Sequence, residues 1–276
     1  MNLEELAQFA IIAAKTAGDV IRDAAKREIT AEHKAGGSTY ASQVVTAIDR
    51  QCDGLIREIL QPTCEEYDIG MLSEEYPDDG SRFQKDFFWC VDPLDGTLAF
   101  INKTPGYSVS IALVSKEAEP VIGVVYNPTS QVLYHAINGK GVFRNESRWQ
   151  PLKEKKEVLT YVAGKSLAKT PNAEAVQAIL DEKLKELELR NIQEICGGGA
   201  VWNAIRVLEE APACMIKSPK SQKGGGSVWD YAATACIFEE AGCRVTDFYG
   251  QSLELNKNYD TFMNHRGVFY SSCALL

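Results

Sequence analysis

The sequence predicts an α+β amino-terminal half followed by a layered α/β carboxy-terminal half. Residues 3–28 carry apolar side chains at helical spacing, which leaves one stripe to bury against a core. Short apolar runs of strand length follow between residues 69 and 143. After residue 158, strand and helix patterns alternate, as in a sheet that is covered by helices.

Two predicted helices open the amino-terminal half, and small residues at 36–43 separate them. The second covers residues 47–60 and ends because Pro62 cannot continue a helix. Thr46 is the expected cap of this helix, and Asp49 stands three residues later, where it completes a capping box. We therefore expect Asp49 in the first turn of the second helix.

Strands make up the rest of the first half. Residues 87–91 are continuously apolar, as in a strand that is buried on both faces, and Pro93 is expected to end it. A further strand begins at residue 69, and Asn138-Gly139 suits a tight hairpin turn. The remaining predicted strands of this half are residues 108–114, 121–126, 132–137 and 141–143.

The charged stretch 153–157 marks the expected boundary between a domain of residues 1–152 and a domain of residues 153–276. Beyond the boundary, the predicted strands are residues 158–163, 192–195 and 213–217. The predicted helices are residues 173–187, 200–208 and 228–241. This order favours a layered α/β unit.

Composition and charge exclude several classes of protein. The 276 residues, of which 45% are hydrophobic and 24% charged, predict a globular rather than a disordered or fibrous chain. A net charge of −9 disfavours a nucleic-acid polymer or an anionic membrane as partner, and no apolar run reaches the roughly 18 residues of a membrane span. The acidic start and eight scattered cysteines without a C-x-x-C pair predict a cytoplasmic, reduced protein without a zinc site.

The sharpest functional signal is the segment 92–97, which reads DPLDGT and follows a buried strand. Ligands of α/β sheets bind at the carboxyl ends of strands, so Asp92 and Asp95 are expected to aim at one point. Two buried carboxylates repel each other unless protons or cations compensate them, and oxygen ligands favour Mg²⁺, Mn²⁺ or Ca²⁺ over zinc. The alternative is a surface Asp-Pro turn with a capping aspartate, against which the apolar strand argues.

Other acids and glycines extend this signal. Gly96 and Thr97 could open a helix whose free N–H groups accept a phosphate. Asp230 follows the glycine run 224–226 at a predicted helix start, where an acid can also serve only to compensate the helix dipole. Glu74 and Glu75 follow an apolar strand, and each such acid taken singly is most often solvated.

Motifs of covalent phosphate chemistry are missing. The sequence contains no G-x-S-x-G elbow, no C-x-x-x-x-x-R loop and no Walker A lysine motif. Its three histidines, His33, His135 and His265, have no metal-ligand or triad neighbourhood. Phosphate chemistry in this chain would therefore need metal-activated water.

Four motifs together resemble the inositol monophosphatase superfamily of Mg²⁺-dependent, lithium-sensitive phosphatases. They are TAID at 46–49, SEE at 73–75, DPLDGT at 92–97 and VWDYAA at 228–233, and their order and spacing agree over nearly the whole chain. Within the superfamily the chain is most similar to the bacterial 3′(2′),5′-bisphosphate nucleotidases, for example at GVVYNP, residues 123–128. The resemblance implies a layered α-β-α-β-α sandwich of the inositol monophosphatase and fructose-1,6-bisphosphatase type.

The resemblance also implies the roles of individual residues. Two or three Mg²⁺ ions, with Mn²⁺ as a substitute, would be held by Glu74, Asp92, the Leu94 carbonyl, Asp95 and Asp230. These ions would activate the attacking water and stabilise the leaving oxygen. The implied catalytic residues are Asp49, Glu74 and Thr97, and the implied substrate-binding residues are Glu74, Leu94, Asp95, Gly96, Thr97, Gly199, Ala200 and Asp230.

Two of these residues have a competing explanation, and one further residue, Lys34, departs from the family pattern. Gly199 and Ala200, implied to line the leaving-group pocket, are also explained by close helix packing. Lys34 would be the early substrate-contacting lysine of the family, but its spacing to Thr46 is longer than usual.

The segment 215–223 decides which small phosphorylated metabolite we expect. Inositol phosphatases place an acid there, whereas this chain has Lys217, Lys220 and Lys223 and no acid. Lysines suit a second phosphate, as in adenosine 3′(2′),5′-bisphosphate, although lysines on such a loop are also commonly solvated. The alternatives are an inositol-1-monophosphatase or related sugar phosphatase, and a non-catalytic cation- or phosphate-binding protein. The oligomeric state is left open.

Overall fold

A computed structural model describes residues 1–26, 40–151 and 157–272, in which two sheets are flanked by helices. The helices are α1 Leu3–Ala25, α2 Tyr40–Tyr67, α3 Thr97–Ile101, α4 Ala173–Glu186, α5 Ala200–Glu209 and α6 Ala232–Glu240. The strands of the first sheet are β1 Gly70–Ser73, β2 Phe87–Asp95, β3 Ser108–Ser115, β4 Pro120–Asn127, β5 Val132–Ile137, β6 Gly141–Arg144 and β7 Ser147–Trp149. Those of the second are β8 Val158–Ala163, β9 Asn191–Cys196, β10 Ala213–Lys217, β11 Arg244–Thr246 and β12 Val268–Ser271.

The elements stack in five layers. Helices α1 and α2 cover one face of the first sheet, and α5 and α6 lie between that sheet and the second one. Helix α4 packs on the outer face of the second sheet. This is the predicted α-β-α-β-α sandwich, and it arises because each sheet has two apolar faces to cover.

Strand order gives the two sheets different characters. In the first sheet β1 runs parallel to β2, and the following strands are antiparallel neighbours in chain order. The second sheet has the order β11-β12-β10-β8-β9, in which β10, β8 and β9 are parallel. The carboxyl ends of β8 and β10 therefore meet at one edge, where parallel sheets bind ligands.

Helix α2 is longer at both ends than predicted. It begins at Tyr40 and continues through Pro62 to Tyr67, so Thr46 is not its cap and Asp49 lies in its interior rather than in its first turn. A local and a tertiary hydrogen bond support the helix beyond the proline: Thr63 Oγ1 donates to the Leu60 carbonyl at 2.6 Å and accepts from the Trp89 indole N–H of the sheet at 2.9 Å. The expected capping box at Asp49 and the expected stop at Pro62 are both wrong.

Strand β2 also passes the proline that was expected to end it. It continues to Asp95, and its register with β3 shifts between Asp92 and Asp95. Pro93 lies in this bulge, where a missing N–H does not break the ladder. Residues three apart in a regular strand point to opposite faces, so the bulge is what allows Asp92 and Asp95 to aim at one place.

The helix predicted over residues 228–241 is broken. A 3₁₀ turn, Val228–Asp230, is followed by Tyr231 at φ −124° and ψ −24°, and α6 begins only at Ala232. The strands and helices predicted from residue 108 to residue 217 agree with the structure to within one residue at each end. The boundary stretch lies almost wholly outside the described residues, as does Lys34, and the division into two domains stays a prediction.

No helix in the described part of the chain is long and apolar enough to cross a membrane. Among the described residues, six cysteines carry free thiols, most of them buried: Cys52, Cys64, Cys90, Cys196, Cys214 and Cys236. Cys243 is disulfide-bonded, which departs from the expectation of a reduced protein.

A glycine on β4 sets the position of α6. A Cβ at Gly123 would collide with the Ala233 carbonyl oxygen, so only glycine allows α6, and with it Asp230, to lie this close to the sheet. We expect Gly123→Ala to lower the free energy of unfolding by about 1–3 kcal/mol, as overpacking does. Gly54→Ala, on α2 where a Cβ meets nothing within 4 Å, should raise it by about 0.5–1 kcal/mol.

Urea unfolding of the two variants and the unchanged chain measures both effects. Equal stability of the Gly123→Ala variant and the unchanged chain would contradict the close approach of α6 to β4.

Candidate metal centre and active site

Three carboxylates converge at the junction of the two sheets. Asp92, Asp95 and Asp230 each offer an oxygen atom, and these atoms lie within 4.8 Å of one another. Asp92 and Asp95 come from the bulged end of β2, and Asp230 comes from the turn before α6. We call these three residues the acidic cluster.

Backbone N–H groups hold Asp92 and Asp95 in place. Asp92 Oδ1 accepts from the Leu94 N–H at 3.0 Å. The two oxygens of Asp95 accept from the N–H groups of Ala200 and Val201, each at 2.9 Å, at the amino end of α5. A free helix amino terminus stabilises a carboxylate by its unpaired donors and its dipole.

Gly199 and Ala200 therefore contact the acidic cluster directly. A Cβ at Gly199 would collide with the Asp95 carboxylate, and the Gly199 N–H donates to the Gly106 carbonyl at 2.7 Å. These two residues therefore allow α5 to lie close to Asp95. Lining of a leaving-group pocket by them stays a prediction.

The third acid is fixed by its own turn. Asp230 Oδ2 accepts from the Ser227 N–H at 2.6 Å, which completes a capping box at this 3₁₀ turn. Ser110 on β3, which pairs with Asp92, donates to the Trp229 carbonyl at 3.1 Å. This bond ties the Asp230 turn to the sheet that carries Asp92.

Parallel pairing of β1 with β2 brings a fourth acid to the cluster. Ser73 pairs with Val91, so Glu74 stands level with Asp92, and its N–H donates to the Val91 carbonyl at 3.2 Å. The Glu74 residue as a whole is exposed to solvent, but its carboxyl group lies against that of Asp92, where the surrounding protein partly buries it. Asp49 is buried on α2 nearby, and its Oδ1 has no hydrogen-bond partner.

Burial, and after it mutual repulsion, makes these groups reluctant to ionise. Burial, reinforced by Asp230, raises the pKa of Asp95 to about 8, and partial burial with the charge of Asp230 raises the pKa of Glu74 to about 7. Burial, and then the charges of Glu75 and Glu74, raise the pKa of Asp49 to about 7. Burial and the neighbouring acids also raise the pKa of Asp92 well above its usual value.

This donor set fits a hard divalent cation such as Mg²⁺. Its members are oxygen atoms, they are crowded, and Asp49 adds a buried oxygen without a partner. The Leu94 carbonyl lies between the two aspartates of β2 and accepts a long hydrogen bond, 3.3 Å, from Thr97 Oγ1.

Gly96 and Thr97 lie beside the cluster at the start of α3. Gly96 has φ +84°, and a Cβ there would come within 2.8 Å of the Gly106 carbonyl oxygen, so this sharp turn requires glycine. Thr97 is exposed and is the first residue of the helix, so its N–H has no acceptor within it. Among the described residues Thr97 makes its hydrogen bond to Leu94 and not to Asp49.

The ammonium group of Lys217 provides a positive charge next to the acidic cluster. Lys217, at the end of β10, donates from Nζ to the Tyr231 hydroxyl at 2.8 Å and to the Gly225 carbonyl at 3.1 Å. Its charge acts on Asp230 and Asp95, whereas burial lowers the pKa of Lys217 itself. A Cβ at Gly226 would collide with the Tyr231 hydroxyl, which explains why this position of the glycine run requires glycine.

Next to Lys217 a cavity of about 260 Å³ opens, which we call the lysine cavity. Its cationic lining residues are Lys165, Lys169, Lys217 and Lys220. Lys223, the third lysine of the predicted segment, instead lies 4.0 Å from Asp260 and over the Phe262 ring.

Several residues at this site carry no motif by which the sequence would predict them. Lys165 and Lys169 are not among the predicted site residues, although Lys165 comes two residues after the end of β8, where ligand contacts are common. Asp53 was also missed: it is fully buried, accepts a hydrogen bond from Ser73 Oγ and leaves its Oδ2 unpaired. Its position one helical turn after Asp49 was the available signal.

Comparison with known proteins shows the family. The family model described as "Inositol monophosphatase family" matches residues 2–272. "Inositol monophosphatase 2" of Solanum lycopersicum is 30% identical, over 92% of this chain and 91% of that protein. The "3'(2'),5'-bisphosphate nucleotidase CysQ" of Salmonella typhimurium is 31% identical, over 80% of this chain and 82% of that protein. The structure of CysQ from Bacteroides thetaiotaomicron has a TM-score of 0.76 and 26% identity, and covers 96% of both chains.

The raised pKa values predict how stability depends on pH without metal. These carboxyl groups ionise above about pH 4 in the unfolded chain but resist ionisation in the folded one, so stability falls as pH rises from about 4, and the loss is complete once pH has passed through 7 to 8. We expect the metal-free protein to lose at least about 5 °C in Tm between about pH 5.5 and about pH 8.5.

Millimolar Mg²⁺ should remove most of that loss, because the cation relieves the repulsion. Thermal unfolding at both pH values, with Mg²⁺ and with a chelator, measures both effects. A Tm that changes with neither pH nor Mg²⁺ would show that the carboxylates do not repel each other as described.

Proposed function

This chain belongs to the inositol monophosphatase family of metal-dependent phosphatases, and we propose that it removes the 3′(2′)-phosphate from adenosine 3′(2′),5′-bisphosphate. The observation that carries this proposal is that Lys217, whose charge acts on Asp95 and Asp230 of the acidic cluster, also lines the lysine cavity. Acids that hold Mg²⁺ suit the phosphate that is hydrolysed. Ammonium groups suit a second phosphate on the same substrate.

The competing substrate is inositol 1-phosphate or a related sugar phosphate. Relatives named inositol monophosphatase are as similar to this chain as the CysQ nucleotidase is. An inositol ring presents neutral hydroxyls. An acidic side chain would bind these hydroxyls better than an ammonium group does. The segment 215–223 before the Trp229-Asp230 pair contains Lys217 and no acid. Inositol phosphatases place an acid in this segment, so its lysines favour the bisphosphate.

Five groups of this chain would hold the metal: the acidic cluster, Glu74 and the Leu94 carbonyl. When bound, two or three Mg²⁺ ions, or Mn²⁺ in their place, supply a polarised phosphoryl group and a water of lowered pKa. Lithium sensitivity and a cytoplasmic location stay predictions.

The remaining groups would position the substrate and move the proton. Asp49 offers a buried, unpaired oxygen with a pKa of about 7, which suits a general base at neutral pH. Thr97 would align the attacking water through its hydroxyl, which also contacts the Leu94 carbonyl. The N–H groups of Gly96 and Thr97 would hold phosphate oxygens as charge develops.

A substrate comparison tests the proposed specificity. With Mg²⁺, we expect kcat/KM for adenosine 3′,5′-bisphosphate to exceed that for inositol 1-phosphate by at least about tenfold, because only the former pairs with the lysines. Phosphate release, with and without a chelator, measures both rates. A preference for inositol 1-phosphate would reject the nucleotidase in favour of the sugar phosphatase.

Removal of one carboxylate tests whether the chain is an enzyme rather than a cation- or phosphate-binding protein. Asp92→Asn keeps the shape of the side chain but removes a charge from the acidic cluster, so kcat should fall by on the order of 100-fold or more. Asp181→Asn, on the exposed face of α4, should leave kcat unchanged. Equally negligible turnover by all three proteins on every phosphomonoester would favour the binding protein.

A further inference from the structure

We propose that the lysine cavity binds the second phosphate of the substrate, the one that is not hydrolysed, and that Lys165, Lys169 and Lys220 determine this specificity. The inference rests on the proposed function and assigns the part of the site that recognises the bisphosphate. It brings in the connection between β8 and α4, on which neither the acidic cluster nor the family motifs lie.

The position of the cavity is that of a ligand site in an α/β sheet. It opens at the carboxyl ends of the parallel neighbours β8 and β10. Lys217 ends β10 and borders the acidic cluster, whereas Lys165 and Lys169 approach from the segment after β8. Lys217 is therefore shared: it lines the cavity, and its charge acts on Asp95 and Asp230 of the acidic cluster.

The charges in the cavity are of one sign. Of the described residues that line it, four are lysines and none is acidic. None of these lysines has a described carboxylate within 4.0 Å, unlike Lys140, Lys183 and Lys223, which pair with acids elsewhere on the surface. In a chain of net charge −9, a cavity of unpaired cations is a binding site for an anion.

Three of the four lysines are available to a ligand. Lys217 already donates to Tyr231 and to the Gly225 carbonyl, so its ammonium is oriented by the protein. Within the described ranges, the side chains of Lys165, Lys169 and Lys220 make no hydrogen bond or ion pair. Lys220 lies against Gly225, where a Cβ would come within 3.2 Å of Nζ, so the glycine leaves room for its ammonium group.

The rest of the lining suits an organic phosphate rather than a bare ion. Tyr161, Met215, Met263 and Val268 form apolar walls. A volume of about 260 Å³ is near the lower end of small-molecule sites, roughly 300 Å³. A nucleoside phosphate has the apolar, flat body and the anionic end that such walls and such lysines recognise.

A double substitution tests the assignment with two substrates that differ only in the second phosphate. For Lys165→Ala/Lys169→Ala, we expect KM for adenosine 3′,5′-bisphosphate to rise at least about tenfold with little change in kcat. The double variant should hydrolyse adenosine 3′-monophosphate at a rate within about twofold of that of the unchanged chain, because this substrate has no second phosphate to place in the cavity. Both lysines are exposed, and thermal unfolding confirms that the variant is folded.

Lys220→Ala and Lys223→Ala form a matched pair in one loop. The first should raise KM for the bisphosphate, and the second, whose lysine lies against Asp260, should not. Unchanged KM values in the double variant and in Lys220→Ala, or equal losses with both substrates, would overturn the assignment.

Failure of the assignment is distinguishable from failure of the proposed function. If the unchanged chain prefers the bisphosphate but the variants keep that preference, only the lysine cavity is wrong. If the unchanged chain prefers inositol 1-phosphate, the proposed function itself falls.

Discussion

Electrostatic repulsion between carboxylates that the fold forces together is the constraint on which this structure depends. Asp92, Asp95 and Asp230 come from positions up to 138 residues apart in the chain, yet their oxygens lie within 4.8 Å. Three negative charges at this separation are costly away from water, and the raised pKa values of Asp95 and Glu74 express that cost. A divalent cation turns the same arrangement from a destabilising one into a binding site, which couples metal binding to the stability of the fold.

The fold maintains this arrangement with backbone groups rather than with counter-charges. A bulge at Pro93 turns both aspartates of β2 to one side, and the amino end of α5 holds Asp95 by two N–H groups. The 3₁₀ turn before α6 caps itself with Asp230. Lys217 is the one cation whose charge acts on both Asp95 and Asp230 among the described residues, and it is oriented by Tyr231. The result separates an acidic side that suits metal from a lysine side that suits phosphate.

Much of this could be predicted from the sequence, and the failures have a common cause. The apolar run before Asp92 and the alternation after residue 158 reflect burial, which is local in sequence, so the strands and layers were predictable. Pro62 and Pro93 were misread because packing of α2 on the sheet and a bulge in β2 outweigh the local preference of proline. Lys165 and Lys169 were missed because an exposed lysine shows its role only when the opposite wall, Lys217 and Lys220, is known.

Proton release on Mg²⁺ binding is the most direct test of the central claim. Near pH 7 and without metal, the acidic cluster and the neighbouring Glu74 should retain protons, because Asp95 and Glu74 have pKa values of about 8 and about 7. Calorimetric titration with Mg²⁺ in two buffers of different ionisation enthalpy should therefore report release of roughly one proton or more for each protein molecule. No binding at millimolar Mg²⁺, or binding without any proton release, would contradict a site built from mutually repelling carboxylates.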